Sequence, residues 1–246
     1  MQRTFMTCVL CKRDADLKES HILSKFIYKP FKRVNGKMYV LVDDPSREIR
    51  QIQDGIKQYL LCGDCEARRS KWETYFSNKW HRGELFGQSD PYTINGLNYP
   101  NFKLFLMSLL FMASVSDDPL FEDIRLIPSS FEKLRHMVNA GDPGETYVFG
   151  CSVRMLDEED IDLKMLVGKA ETIKVNGVPI HRFLFGGFSL AFIDPEGRHI
   201  GADVRQTFIT KEGSILVRKK KLHEIDYLMS TIKNLNQQGK LDEGKA

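Results

Sequence analysis

Two Cys-x-x-Cys pairs, Cys8/Cys11 and Cys62/Cys65, constrain this chain more than any other feature of its sequence. Such a turn offers two thiolates to one metal ion from adjacent backbone positions, and two turns complete a tetrahedral Cys₄ shell. A single pair would fit a redox motif equally well; two pairs point to structural Zn²⁺ that folds the N-terminal third. Redox chemistry and chance pairing are the alternatives. The 50 residues between Cys11 and Cys62 exceed what a simple zinc ribbon encloses, so a substructure must be inserted between the knuckles. The fifth cysteine, Cys151, lies in an apolar, strand-like stretch. This usage fits a reducing cytoplasm better than a disulfide framework.

The N-terminal stretch Met1 to Leu10 has no apolar core of a secretory signal. Leu104 to Val115, the longest apolar run, is too short to span a bilayer and reads as a core helix. The expectation is therefore a cytoplasmic protein without membrane association. A hydrophobic content of 42% over 246 residues fits one large domain or two small ones. Charge is uneven along the chain. Up to Gln88 there are 17 Lys+Arg against 11 Asp+Glu, and beyond it 19 against 22. Affinity for an anionic partner is thus expected near the cysteines, although a solvated surface accounts for most excesses of this size.

A Gly- and polar-rich passage, Gly83 to Asn98, marks a boundary between residues 1–88 and 89–246. Asn101 to Ser116 has helical apolar spacing and stops at Asp117-Asp118-Pro119. Ser129 offers an N-cap for a second helix through Ala140. The pattern then becomes β-like over Thr146 to Leu156, Ile173 to Val175, His181 to Ile193, Thr207 to Thr210 and Ile215 to Arg218. Asn176-Gly177, Pro195-Glu196-Gly197 and Glu212-Gly213 punctuate these runs as hairpin turns. Gly186-Gly187 reads as a bend or bulge within a strand, since it lacks the context of a phosphate loop. Leu222 to Leu235 reads as a closing helix. The fold class is α+β: an N-terminal zinc finger, then an α+β region with an antiparallel sheet.

Glu19-Ser20-His21-Ile22-Leu23 follows the first knuckle, and Tyr59-Leu60-Leu61-Cys62-Gly63-Asp64-Cys65-Glu66 forms the second. Over about the first 75 residues this arrangement resembles the cysteine-bearing HNH, or His-Me finger, endonucleases. Gln53-Asp54-Gly55 and the run from Leu60 through Trp72-Glu73 look like a little-characterised bacterial subgroup of them. The resemblance implies a treble-clef, HNH-like finger and a metal-dependent nuclease. His21 would be the general base that activates water, and a divalent ion, Mg²⁺ or Mn²⁺, would stabilise the phosphate. It also implies a phage-defence or mobile-element context. The chain departs from the pattern at three places. Ser20 stands where the family has Asp or His, Glu66 stands where it has His, and the Asn before the Leu-Leu-Cys strand is replaced by the segment Lys57-Gln58-Tyr59. Carboxylate oxygen suits a hard cation, so Glu66 is chemically admissible as a ligand.

Glu66 and Glu73 are seven residues apart, two helical turns, with Arg69 three after Glu66. They can serve metal and phosphate, or Glu66 and Arg69 can form a surface ion pair. Lys25, Lys29, Arg68, Arg69 and Lys71 are the candidate nucleic-acid contacts. Trp72, Tyr75, Phe76 and Trp80 interleave with the cations on this segment but follow core spacing. Arg218 to Lys221 could extend a basic surface. His181 and His223 have no partner spacing and receive no role. Against the nuclease stands a reading of a different class: a non-catalytic zinc-binding adaptor for nucleic acid or protein in a larger assembly. Sequence does not fix the oligomeric state.

Overall fold

The computed structural model describes residues 5–28, 38–41, 51–52, 55–157, 167–194 and 200–224. The predicted α+β class is what the chain adopts. A three-stranded antiparallel sheet is built from β1 (Phe5–Thr7), β2 (Asp14–His21) and β5 (Lys57–Cys62), in the order β1-β2-β5. Helix α2 (Gly63–His81) follows directly from β5. It lays Cys65, Arg69, Trp72, Phe76 and Trp80 on its buried face, spaced three or four residues apart. Three of the four interleaved aromatics are thus core, and Tyr75 is partly buried, its hydroxyl accepting from the Asn98 amide at 2.7 Å.

Helix α3 (Tyr99–Val115) is apolar around its whole circumference, and every residue from Phe102 to Ala113 is buried. A helix of that composition can only sit at the centre of a fold. Asn98 caps it by accepting from the Asn101 amide at 3.0 Å. Phe105 stacks on Phe76 of α2 with ring centroids 4.1 Å apart, and Phe26 meets both rings. Such pairs contribute about 0.5–1.5 kcal/mol each beyond their burial. Helix α4 (Pro128–Ala140) packs on α3. It begins one residue before the predicted cap, with Ile127 as N-cap and Pro128 in the first turn, where a missing N–H loses no hydrogen bond.

The second sheet has eight strands, ordered β4-β3-β8-β9-β10-β7-β11-β6. They are β3 (Met38–Leu41), β4 (Gln51–Ile52), β6 (Tyr92–Ile94), β7 (Gly150–Leu156), β8 (Val167–Val175), β9 (Val178–Phe185), β10 (Phe188–Ile193) and β11 (Ile215–Lys220). Pairing is antiparallel except for β3–β8 and β7–β11, which run parallel. The β8–β9 hairpin turns at Asn176-Gly177 as expected, with φ of 50° and 77°. Two expectations change. Gly186-Gly187 does not bend one strand but joins two: Phe185 pairs with Phe188, and both glycines have positive φ, the requirement of a tight two-residue hairpin turn. Thr207 to Thr210 is not a strand. After the short helix α5 (Ala202–Arg205), Thr207 and Phe208 donate back to Val204 and Arg205, and Thr210 closes a loop with Ser214. This turn buries Phe208 and Ile209 without a ladder.

The boundary placed after residue 88 falls in the connection between α2 and β6. The hydrophobic core runs across it from Cys8 to Val217, and β3 and β4 join the eight-stranded sheet. Lys29, most of the closing helix predicted over 222–235, and Pro195-Glu196-Gly197 lie outside the described residues. Among the described residues, no helix is long and apolar enough to cross a membrane.

Candidate metal centre and the strand-helix clamp beside it

The first knuckle is a reversal between β1 and β2. The Cys8 amide donates to the Arg13 carbonyl at 2.9 Å, the Lys12 amide donates back to Cys8 at 2.9 Å, and Lys12 takes a φ of 61° to close the turn. Cys62 ends β5, and Cys65 falls in the first turn of α2. Knuckle, hairpin and helix thus follow the treble-clef order. The Val9 amide donates to the Leu60 carbonyl at 3.0 Å, which holds the first knuckle against the strand that delivers the second.

The four sulfurs of Cys8, Cys11, Cys62 and Cys65 lie within 4.8 Å of one another, and none is in a disulfide. A tetrahedron with Zn–S bonds near 2.3 Å has sulfurs about 3.8 Å apart. Cys11 and Cys62 sulfurs are separated by 3.7 Å. The Cys62 amide donates to the Cys8 sulfur, 3.4 Å away. These four residues can hold a metal ion such as zinc. Without an ion the thiols are unequal. Burial pushes the Cys8 and Cys65 thiols up. Burial acts the same way on Cys11, but hydrogen bonds from Arg13 outweigh it and bring Cys11 down to about 6. Arg13 also pairs with Asp64 at 3.0 Å, tying one knuckle to the other on the surface.

From this centre β2 runs toward His21 with a slip in register. Leu17 faces Cys62 and Lys18 faces Leu61, but Glu19 faces Tyr59. Lys18 and Glu19 are both exposed, and Ser20, not Glu19, is the residue buried against α2. The slip falls between Lys18 and Glu19, so Glu19 keeps its alternation with His21, and its carboxylate pairs at 3.5 Å with Lys57, the residue opposite His21. Ser20 Oγ donates to Glu66 Oε2 at 2.8 Å. The position before His21 and the position after the second knuckle are therefore in direct contact. His21 is half-buried, its ring 6.3 Å from that of Tyr28. Among the described residues, the four cysteines are the only cluster of three or more His, Cys, Asp or Glu able to hold a metal.

The other candidates on α2 divide. Arg69 is 3% exposed and forms no surface pair with Glu66. It donates to the carbonyls of His21 at 2.7 Å and Ile22 at 3.2 Å and pairs with Glu73 at 2.7 Å. Glu73 also accepts from Ser24 Oγ at 2.8 Å. Arg69 and Glu73 are thus occupied in fastening the loop after β2 to the helix, and Arg69 is not presented to a polyanion. Arg68 reaches across to the carbonyl of Asn139 at the end of α4. Lys71 and Lys25, the latter on the short helix α1 (Lys25–Tyr28), are exposed. Sequence reasoning missed Arg135: from α4 its Nη1 donates to the Leu10 carbonyl inside the first knuckle at 2.8 Å, linking the finger to the helical core. Its only sequence signal was a cation at core spacing on α4.

No family model matches this chain, and neither a curated protein nor a solved structure does.

Proposed function

We propose that this protein is a metal-dependent nuclease of the HNH-like type, its finger folded around Zn²⁺ on Cys8, Cys11, Cys62 and Cys65. The observation that carries the reading is the 2.8 Å contact between Ser20 Oγ and Glu66 Oε2. In the fingers this chain resembles, neighbouring residues hold the divalent ion, and the two positions in contact here are the one before the base and the one after the second knuckle. Here those positions touch, a hydroxyl against a carboxylate. Glu66, with the Ser20 hydroxyl beside it, would hold a hard cation such as Mg²⁺ or Mn²⁺. The ion would supply positive charge to the phosphate and the leaving oxygen. His21 takes a proton from the attacking water at a ring nitrogen. Arg69, through the His21 carbonyl, holds the backbone that carries that ring. Lys25 and Lys71 offer exposed charge to a nucleic-acid backbone. A role in phage defence or a mobile element rests on the resemblance.

A second reading is favoured by the internal use of Arg68, Arg69 and Glu73 and by the absence of a third acidic or imidazole group at Glu66 among the described residues. It is a zinc-folded adaptor that binds nucleic acid or protein in a larger assembly without cutting. Cleavage of single- and double-stranded DNA and RNA by the purified chain, with and without Mn²⁺ or Mg²⁺, separates the two. The nuclease reading expects metal-dependent cutting that falls by roughly 100-fold or more in His21→Ala. Binding without cutting in any metal supports the adaptor. Cutting unchanged in His21→Ala removes this assignment of the base.

A further inference from the structure

The eight-stranded sheet has a face turned away from the core, and its chemistry is not used by the metal centre or the clamp beside it. Along β7, buried Cys151 and Val153 alternate with Ser152 and Arg154; along β11, buried Ile215 and Val217 alternate with Leu216 and Arg218. With Ile180 and Arg182 of β9 and Ala191 of β10, these outward residues line a cleft of about 430 Å³ that α5 and the turn after it close on one side. That size lies in the range of small-ligand sites, roughly 300–1,000 Å³.

Arg154 and Arg218 are direct neighbours across the parallel β7–β11 pair. Among the described residues, neither side chain has a hydrogen bond or an ion pair. Like charges side by side on a sheet disfavour the fold unless something anionic lies between them. Two guanidiniums at this spacing fit a phosphate, which accepts from both forks. A third guanidinium belongs to the lining. Arg182 pairs with Glu171 at 2.6 Å through Nη2, yet its Nε is buried with no acceptor. The lining is not uniformly cationic, since the Asp203 carboxylate belongs to it and Ile180, Ala191 and Leu216 give it an apolar floor. A continuous polyanion would meet Asp203. A single phosphate on a hydroxyl-bearing body would meet cations at one end, apolar surface beneath and a carboxylate able to accept from a hydroxyl.

We infer that this cleft binds a phosphate monoester of mononucleotide size, with the phosphate held between Arg154 and Arg218. Isothermal titration of the full chain with the four nucleoside 5′-monophosphates, ribose 5-phosphate, adenosine and a dT12 oligonucleotide tests it. At least one monoester binds in the submillimolar range, the unphosphorylated nucleoside does not, and Arg154→Met or Arg218→Met weakens binding by about tenfold or more. Arg154→Lys, which keeps the charge but loses the fork, weakens it less. The ligand-free Met variants melt no lower than the native chain, because a like-charge contact has been removed. His21→Ala binds the monoester as the native chain does, so failure of the nuclease reading leaves this result standing. The inference is overturned if no monoester binds, if the nucleoside binds as well as its phosphate, if only the oligonucleotide binds, or if stably folded arginine variants keep the native affinity.

Discussion

Arg69 of α2 donates from Nη1 to the backbone carbonyl of His21 at 2.7 Å, so a buried guanidinium on the helix fixes the end of the strand that carries the candidate base. The same side chain reaches the Ile22 carbonyl and the Glu73 carboxylate. Three acceptors on two elements make it a strut. Replacing Arg69 with Met strands Glu73 and two carbonyls, and the expected loss of stability is about 3–5 kcal/mol, read from urea unfolding. Arg69→Lys rescues little, because one ammonium does not reproduce a planar fork. Native stability with weakened, less salt-dependent nucleic-acid binding would instead make Arg69 a phosphate contact.

Gly186 at the β9–β10 turn holds a φ of 60°, and a Cβ there would lie 2.4 Å from Trp80 Cη2. The turn is therefore seated on the last buried residue of α2. Gly186→Ala is expected to destabilise by about 2–4 kcal/mol, combining left-handed backbone strain with overpacking, and to shift Trp80 fluorescence. Gly83 provides the comparison, with a φ of 75° and nothing within 4 Å of its would-be Cβ. Gly83→Ala loses only the backbone part, about 1 kcal/mol. Equal losses at the two glycines would separate the turn from Trp80.

Lys103 lies within α3, 1% exposed, its ammonium directed at the carbonyls of Glu145 and Thr146. Burial brings its pKa from 10.5 down to about 8, against the opposing pull of Cys151 and Glu145. The fold thus disfavours the charged form. That penalty is fully present below pH 8 and disappears as pH rises from 8 toward 10.5, where both folded and unfolded chains lose the proton. Relative to Lys103→Met, the native chain is expected to gain about 2–3 kcal/mol between pH 7 and pH 10 in chemical denaturation. A difference independent of pH would mean that the ammonium is solvated.

The cysteine set, α3, α4 and the β8–β9 hairpin were legible because each rests on local rules: ligand spacing, continuous apolar character, and an Asn-Gly turn. The β9–β10 turn was not, since Phe185-Gly-Gly-Phe188 continues an apolar alternation and only the cross-strand pairing reveals two strands. Nor was the inward placement of Ser20, which depends on a register slip opposite Leu60 that leaves no mark in β2 itself. Arg69 read as a surface cation because its acceptors are backbone carbonyls 47 and 48 residues away. The parallel pairing of β3 with β8 was hidden for the same reason, being a contact between distant segments. The outward arginines share a row only once β11 is placed beside β7.

On the zinc reading, the four gathered cysteines hold β2, β5 and α2 in the arrangement on which the Ser20–Glu66 contact depends, and structural zinc supplies about 10–16 kcal/mol of binding free energy to folding. X-ray absorption at the zinc edge of the purified chain, with metal content from the same sample, is the direct measurement. One ion per chain bound by four sulfurs at about 2.3 Å is the expected result. Disulfides among Cys8, Cys11, Cys62 and Cys65, or an ion bound through nitrogen or oxygen with fewer than four sulfurs, would contradict it.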